Sequence, residues 1–269
     1  MFERYLALWS LTPDGQQLVT ASSRLLPVLR GQEPAMLKLT IDGEERQAAA
    51  LMDWWGGRGA ARVLCREDNV CLLERATGTA RLSEMARLGR DDDAVRILCS
   101  VVEQLHVPRA QPPPGLVPLS HWFHDLEPAA TTHGAVLTRC AETARVLLTE
   151  PLDIHVLHGD LHHGNVLDFA TRGWLAIDPK GLLGERGFDF ANIFLNPDLA
   201  MPETPVATIP AVLEQRLAIV THAASLQRRR LLQWILAWTG LSAAWLLNDG
   251  MAAPVNQQIA ELVAAELDR

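Results

Sequence analysis

A chain of 269 residues with 48% hydrophobic and 21% charged side chains can bury one large core or two unequal ones, which excludes a disordered segment. Its net charge of −8 excludes a general nucleic-acid binder, because neutralising phosphates needs a basic face, and it suits a cationic small-molecule partner. The cysteines, Cys65, Cys71, Cys99 and Cys140, have no CxxC spacing. This excludes a zinc knuckle or dithiol motif and points to reduced thiols in the cytoplasm.

The opening MFERYLALWSLTPDG lacks the basic start, long apolar run and cleavage site of a signal peptide. QQLVTA, SRLLPVLR and AMLKLTI read as strands separated by turns at Pro13-Asp14-Gly15 and Gly31-Gln32. DGEERQAAALMDWW reads as a helix with Asp42 as its cap, stopped by Gly56-Gly57. ARVLCRE and NVCLLER form a hairpin around Asp68-Asn69. Helical spacing follows in RLSEMARLGR and in DDDAVRILCSVVEQLHV, whose three aspartates suit a helix start. Pro112-Pro113-Pro114 marks a surface loop, and HGAVLTRCAETARVLLTE is a further helix ended by Pro151. NVLDF and WLAID are two short β runs inside an otherwise helical remainder. LLQWILAWTGLSAAWLL, from Leu231 to Leu247, is uncharged but shorter than the ~20 residues of a bilayer span, and its polar residues make it a buried core helix, so no membrane partner is expected. The layout is α+β: a β-rich lobe, a connector, then a mainly helical lobe with a small β insert.

The chemistry concentrates in HGDLHHGNVL, from His158, and in the WLAIDPKG that follows at Trp174. If NVLDF and WLAID pair as a hairpin turned by Ala170 to Gly173, Asn165 and Asp178 meet at its open end, with Asp160 facing the gap. An amide and a carboxylate offer the hard oxygens that Mg²⁺ prefers, and a neighbouring carboxylate can accept the proton of an attacking hydroxyl. This is a phosphoryl-transfer arrangement. A zinc site on His158, His162 and His163 is not expected, because Gly159 and Gly164 oppose a helix there and the HExxH glutamate is missing.

These motifs, with RGAARVLCREDNVCLLER, RGWLAIDPKGLLGERGF, AN-F and GLSAAW, resemble the aminoglycoside phosphotransferases, a branch of the protein-kinase-like fold. The resemblance runs from Leu18 to Trp245 and is strongest to the streptomycin phosphotransferases, grouped with the aminoglycoside and hydroxyurea resistance kinases. It implies a two-lobe fold, with a nucleotide-binding lobe over residues 1–76 and a helical lobe carrying the catalytic loop and substrate site over 77–269. It also implies ATP and Mg²⁺ between the lobes, Asp160 as catalytic base, and Asn165 and Asp178 as metal ligands. His158 becomes the packing histidine of the catalytic loop, and Asp189 the residue that ties that loop down.

In such a fold a strand lysine holds the phosphates and pairs with a helix glutamate. Only two lysines occur, and Lys38 lies on the AMLKLTI strand, with Glu45 as its candidate partner and Glu44 one step off. The phosphate loop carries Ser22 and Ser23 in place of G-x-G-x-x-G, and the backbone of Glu74 to Ala76 forms the adenine-binding connector. Trp122, Glu185, Trp245 and Asp249 are candidate liners of the acceptor site. The expected activity is transfer from ATP to a hydroxyl of a small, cationic molecule, with an aminoglycoside such as streptomycin first. An endogenous amino sugar or small alcohol as acceptor, or a nucleotide-binding pseudokinase without turnover, are the alternatives. Oligomeric state is not legible in the sequence.

Overall fold

A computed structural model describes every residue except 1, 21, 41–43 and 112, together with the side chains of 44–46. The cap assigned to Asp42 and the side chain of Glu45 therefore lie outside the described residues, as does Pro112 of the proline loop.

A helix that the strand-rich reading missed, α1 (Glu3–Leu8), precedes β1 (Leu11–Pro13), β2 (Leu18–Val19), β3 (Ser23–Arg30) and β4 (Glu33–Thr40). After α2 (Glu44–Trp55) come β5 (Val63–Glu67) and β6 (Val70–Glu74), joined through Asp68-Asn69. These strands form one antiparallel six-stranded sheet in the order β1-β3-β4-β6-β5, with β2 paired to β3. The two-residue period divides its faces. Leu37, Val70 and Leu72 pack with Phe2 and Tyr5 in an outer core, while Cys71 and Leu73 join the main core with Leu51, Met52 and Trp55 of α2.

The second part begins with α3 (Leu82–Met85) and α4 (Asp91–His106). The helix expected over RLSEMARLGR is broken at Leu88-Gly89, where Gly89 takes φ 80°, a conformation open to glycine. Then follow β7 (Val117–Pro118), α5 (Leu119–Trp122), α6 (Leu126–His133), α7 (Ala135–Thr149), β8 (Ile154–Leu157), β9 (Val166–Asp168), β10 (Trp174–Ala176) and β11 (Leu182–Glu185). The chain closes with α8 (Phe188–Ala191), α9 (Pro210–Ala224), α10 (Arg228–Asn248) and α11 (Pro254–Leu267). Strands β9 and β10 pair antiparallel, and β7-β11-β8 make a second small sheet. α10 is buried on all sides from Leu231 to Ala244, as a core helix must be. Gly240 lets it approach α7: a Cβ there would stand 2.3 Å from the Cβ of Cys140. No helix among the described residues is long and apolar enough to cross a membrane.

Asp91 does more than oppose the α4 dipole. Its carboxylate takes both Arg216 Nε (2.9 Å) and Nη2 (2.7 Å), and Arg216 Nη1 also donates to the carbonyls of Ile193 and Asn196. The arginine side chain is fully buried. Removing one partner strands the other charge, so Arg216→Met should lose about 3–5 kcal/mol in urea denaturation. The double variant Asp91→Leu/Arg216→Met should recover much of that loss.

Candidate active site

Two loops are forced side by side because both of their ends are paired. Leu157, closing β8, pairs with Leu182, opening β11, and Val166, opening β9, pairs with Ala176, closing β10. Residues 158–165 and 177–181 thus span the same gap between the two small sheets. The Ile177 N–H donates to Asn165 O (2.9 Å) and the Lys180 N–H to His158 O (2.7 Å).

Opposite them stands the large sheet. Lys38 is directly across from Cys71 in register, so it projects from the face that joins the main core. The residue is only 6% exposed, yet its Nζ reaches Asp178 Oδ1 at 2.6 Å. Lys38, Asp160, Asn165 and Asp178 line a single cleft, with Ser22, His162, Lys180 and Trp122 around them. Asp178 takes φ 56°, sparsely used by residues with a Cβ and typical of sites where surrounding structure overrides local preference.

The catalytic-loop backbone is pinned from below. Asp189 accepts the N–H of His158 (2.9 Å), the N–H of Gly159 (2.7 Å) and a hydrogen bond from His106 Nε2 (2.8 Å). Burial opposes its charge, but the hydrogen bond and charge of His106 and the Gly159 N–H outweigh that, holding the carboxyl below its usual range. His158 is fully buried and stacks on Trp55 at 6.2 Å. Its Nδ1 accepts the Asp160 N–H (3.2 Å), so its Nε2 carries the proton toward Ile177 O (2.8 Å). Burial lowers its pKa and keeps the ring neutral.

Each oxygen of Asp160 receives an amide. Asn192 Nδ2 donates to Oδ1 (2.8 Å), and Asn165 Nδ2 donates to Oδ2 (3.2 Å) as well as to the Asp160 carbonyl (2.8 Å). His162 Nε2 lies 3.9 Å from Oδ1, and its Nδ1 accepts the Gly164 N–H (3.0 Å). The amide nitrogen of Asn165 is committed to Asp160, and its oxygen accepts no hydrogen bond among the described residues. Asp178 has Oδ1 on Lys38 and accepts no other hydrogen bond among the described residues. Two such hard oxygens fit Mg²⁺.

Other expected site residues fall elsewhere. Glu185 is 3% exposed and belongs to a structural knot: it accepts Arg230, Trp234 Nε1 (2.7 Å) and the Leu152 N–H (2.9 Å), so it is not a cleft liner. Asp249 is an exposed residue capping α10, outside the cleft. Trp245 stands behind Trp122, edge-on at 5.6 Å, with its Nε1 on Asp125 Oδ2 (3.0 Å). Ser23 is buried as the first residue of β3, with its N–H on Thr20 Oγ1 (3.0 Å), whereas Ser22 reaches the cleft. The Glu74 N–H already donates to Arg62 O (3.0 Å) and its carboxylate holds Arg172, and neither Glu74 nor Ala76 lines the cleft around Asp160. Sequence reasoning missed His121, His124 and Lys180 as liners of the cleft and Asn192 as the partner of Asp160; the Asn in GFDFAN was a visible signal, three residues after Asp189.

This architecture is that of the kinase-like phosphotransferases. It matches a thermostable mutant of aminoglycoside phosphotransferase APH(4)-Ia, solved as a ternary complex with AMP-PNP and hygromycin B, with a TM-score of 0.72 over 98% of each chain at 15% identity. The sequence model for the aminoglycoside/hydroxyurea antibiotic resistance kinases matches residues 8–250. Streptomycin 3''-kinase of Klebsiella pneumoniae is 52% identical over 242 residues, 90% of this chain and 91% of its own. Streptomycin 6-kinase of Streptomyces griseus is 35% identical over 266 residues, 94% of this chain and 84% of its own. The chain belongs to the aminoglycoside/hydroxyurea antibiotic resistance kinase family.

Proposed function

We propose that this kinase transfers the γ-phosphoryl group of ATP to the 3''-hydroxyl of streptomycin. The observation that carries the reading is the convergence of Lys38, Asp160, Asn165 and Asp178 on one cleft. The identity to a streptomycin 3''-kinase supports the choice of acceptor. The nucleotide lies between residues 1–76 and 77–269, with Lys38 neutralising its phosphates and Ser22 at the phosphate loop. Asn165 and Asp178 hold Mg²⁺, which when bound offsets the phosphate charge that grows during transfer. Asp160 receives the acceptor hydroxyl and orients it. Because a metaphosphate-like transition state asks little activation of the nucleophile, orientation is the larger part of that task.

Streptomycin brings guanidinium groups. The Trp122 ring at the cleft offers a face for one of them, and Asp125 behind it adds negative charge. The purified protein with Mg·ATP should phosphorylate streptomycin at the 3'' position, read by phosphorus–proton NMR of the product, and leave hygromycin B unmodified. Absence of transfer to streptomycin, with transfer to an amino sugar instead, would replace the acceptor. ATP binding with no transfer to any of them would replace the activity.

A further inference from the structure

We propose that Asn192 is a positioning residue for the transfer: it fixes the rotation of the Asp160 carboxylate, and Trp238 and Asn196 fix Asn192 in the one amide orientation that can do so. The inference rests on the reading of Asp160 as the residue that meets the acceptor hydroxyl.

Asn192 follows α8 and opens a single 3-10 turn, Asn192–Phe194. It lies 32 positions beyond Asp160, only three after Asp189, so the short segment that pins the loop backbone also delivers an amide to its carboxylate. Asn192 is 6% exposed, Asn196 4% and Trp238 5%, so water does not compete for these bonds.

An asparagine side chain can present either end, and here the choice is dictated. The indole N–H of Trp238 can only donate, and it stands 3.0 Å from Asn192 Oδ1. Asn196 Nδ2 donates to the same oxygen at 2.9 Å and to the Asn192 carbonyl at 3.1 Å. With the oxygen held twice, the amide nitrogen must face Asp160 Oδ1, at 2.8 Å. A flipped amide would set its oxygen against a carboxylate and its nitrogen against two donors. Asn165 holds the other carboxylate oxygen at 3.2 Å. A carboxylate gripped at both oxygens cannot turn about its last torsion, so its open lone pairs stay aimed where the acceptor hydroxyl arrives. Trp238 itself is set by α10, wedged edge-on against Phe188 at 5.5 Å and Trp245 at 5.6 Å. The orientation of Asp160 is thereby built from the helical core outward.

The test is a double-mutant cycle on the full-length enzyme. Asn192→Asp keeps an acceptor for Trp238 and Asn196 but turns a like charge onto Asp160. It should fold with a lowered thermal midpoint, because one buried carboxylate is set against another, keep an ATP KM within about twofold of wild type, and lose kcat on the order of 10²-fold, as a misplaced reacting group does. In an Asp160→Asn background the same substitution should cost little further, because its route to the chemistry is already cut. Trp238→Phe keeps the aromatic wedge and removes only the N–H; it should lower kcat severalfold at unchanged ATP KM, and it carries the test if Asn192→Asp does not fold. Wild-type kcat in these variants, or an equal loss in both backgrounds, would overturn the positioning role. Asp160→Asn turning over at the wild-type rate would instead overturn the reading beneath it.

Discussion

Asp160→Asn should fold, bind Mg·ATP and fail to transfer phosphate. The loop backbone does not depend on that carboxylate: Asp189 holds the N–H groups of His158 and Gly159, and Lys180 closes onto His158 O. Stability should therefore change little. The carboxamide does lose an accepting oxygen, which must now face either Asn192 or Asn165 with an N–H against an N–H. It also loses the charge that draws the acceptor hydroxyl. Losses for removal of such a group are about 10²–10⁴-fold in kcat. ATP KM should stay near wild type, since Asp160 acts at the acceptor side and the interaction is made at the reacting centre. Steady-state kinetics with streptomycin as acceptor give the answer, and near wild-type transfer would remove Asp160 from the chemistry.

Asp178→Ala should damage turnover by a different route. It removes one of the two proposed Mg²⁺ oxygens and the carboxylate that faces Lys38 Nζ at 2.6 Å. Metal stabilisation of transferring phosphate amounts to several kcal/mol, and a loss of about 4 kcal/mol slows turnover about 10³-fold. The chain should still fold, because the Asp178 side chain is 45% exposed to the cleft and supports no core packing. Raising Mg²⁺ should recover part of the loss if Asn165 still holds the ion. Asp178→Asn, which keeps one oxygen, should fall between. A magnesium titration of kcat separates the cases, and wild-type activity of Asp178→Ala at ordinary Mg²⁺ would remove it from the metal site.

Local pattern reached further into this molecule than its length suggests. The runs SRLLPVLR and AMLKLTI matched β3 and most of β4 and placed Lys38 on a strand, and the strand's period of two then sets the face it shares with its neighbours. Asp68-Asn69 marked a hairpin, and NVLDF and WLAID pair as the hairpin on which the meeting of Asn165 and Asp178 depends. The long uncharged stretch from Leu231 to Leu247 announced α10 as a buried core helix. Against this, QQLVTA kept only Leu18–Val19 as strand, and α1 gave no sign in a segment read as strand-rich. Short elements are decided by what they pack on, and the outer core that α1 completes comes from strands far along the chain.

By itself the sequence determined which residues could do chemistry: the spacing of Asp160, Asn165 and Asp178, and a strand lysine upstream of them. What only the tertiary structure decided is which polar side chains reach that place. β8 and β11 carry no strong pattern, yet their pairing brings the two loops together. Glu185, two residues before Gly187, turns into the core to meet Arg230, while Asn192 turns out to meet Asp160. Periodicity fixes the face of each element, since neighbours two or four residues apart are set by backbone geometry. It cannot fix what that face meets, because contact between distant segments depends on how whole helices and sheets pack. Asn192 was therefore visible in the sequence only as the polar residue of GFDFAN, and the orientation of its amide only from the indole of Trp238, 46 positions away.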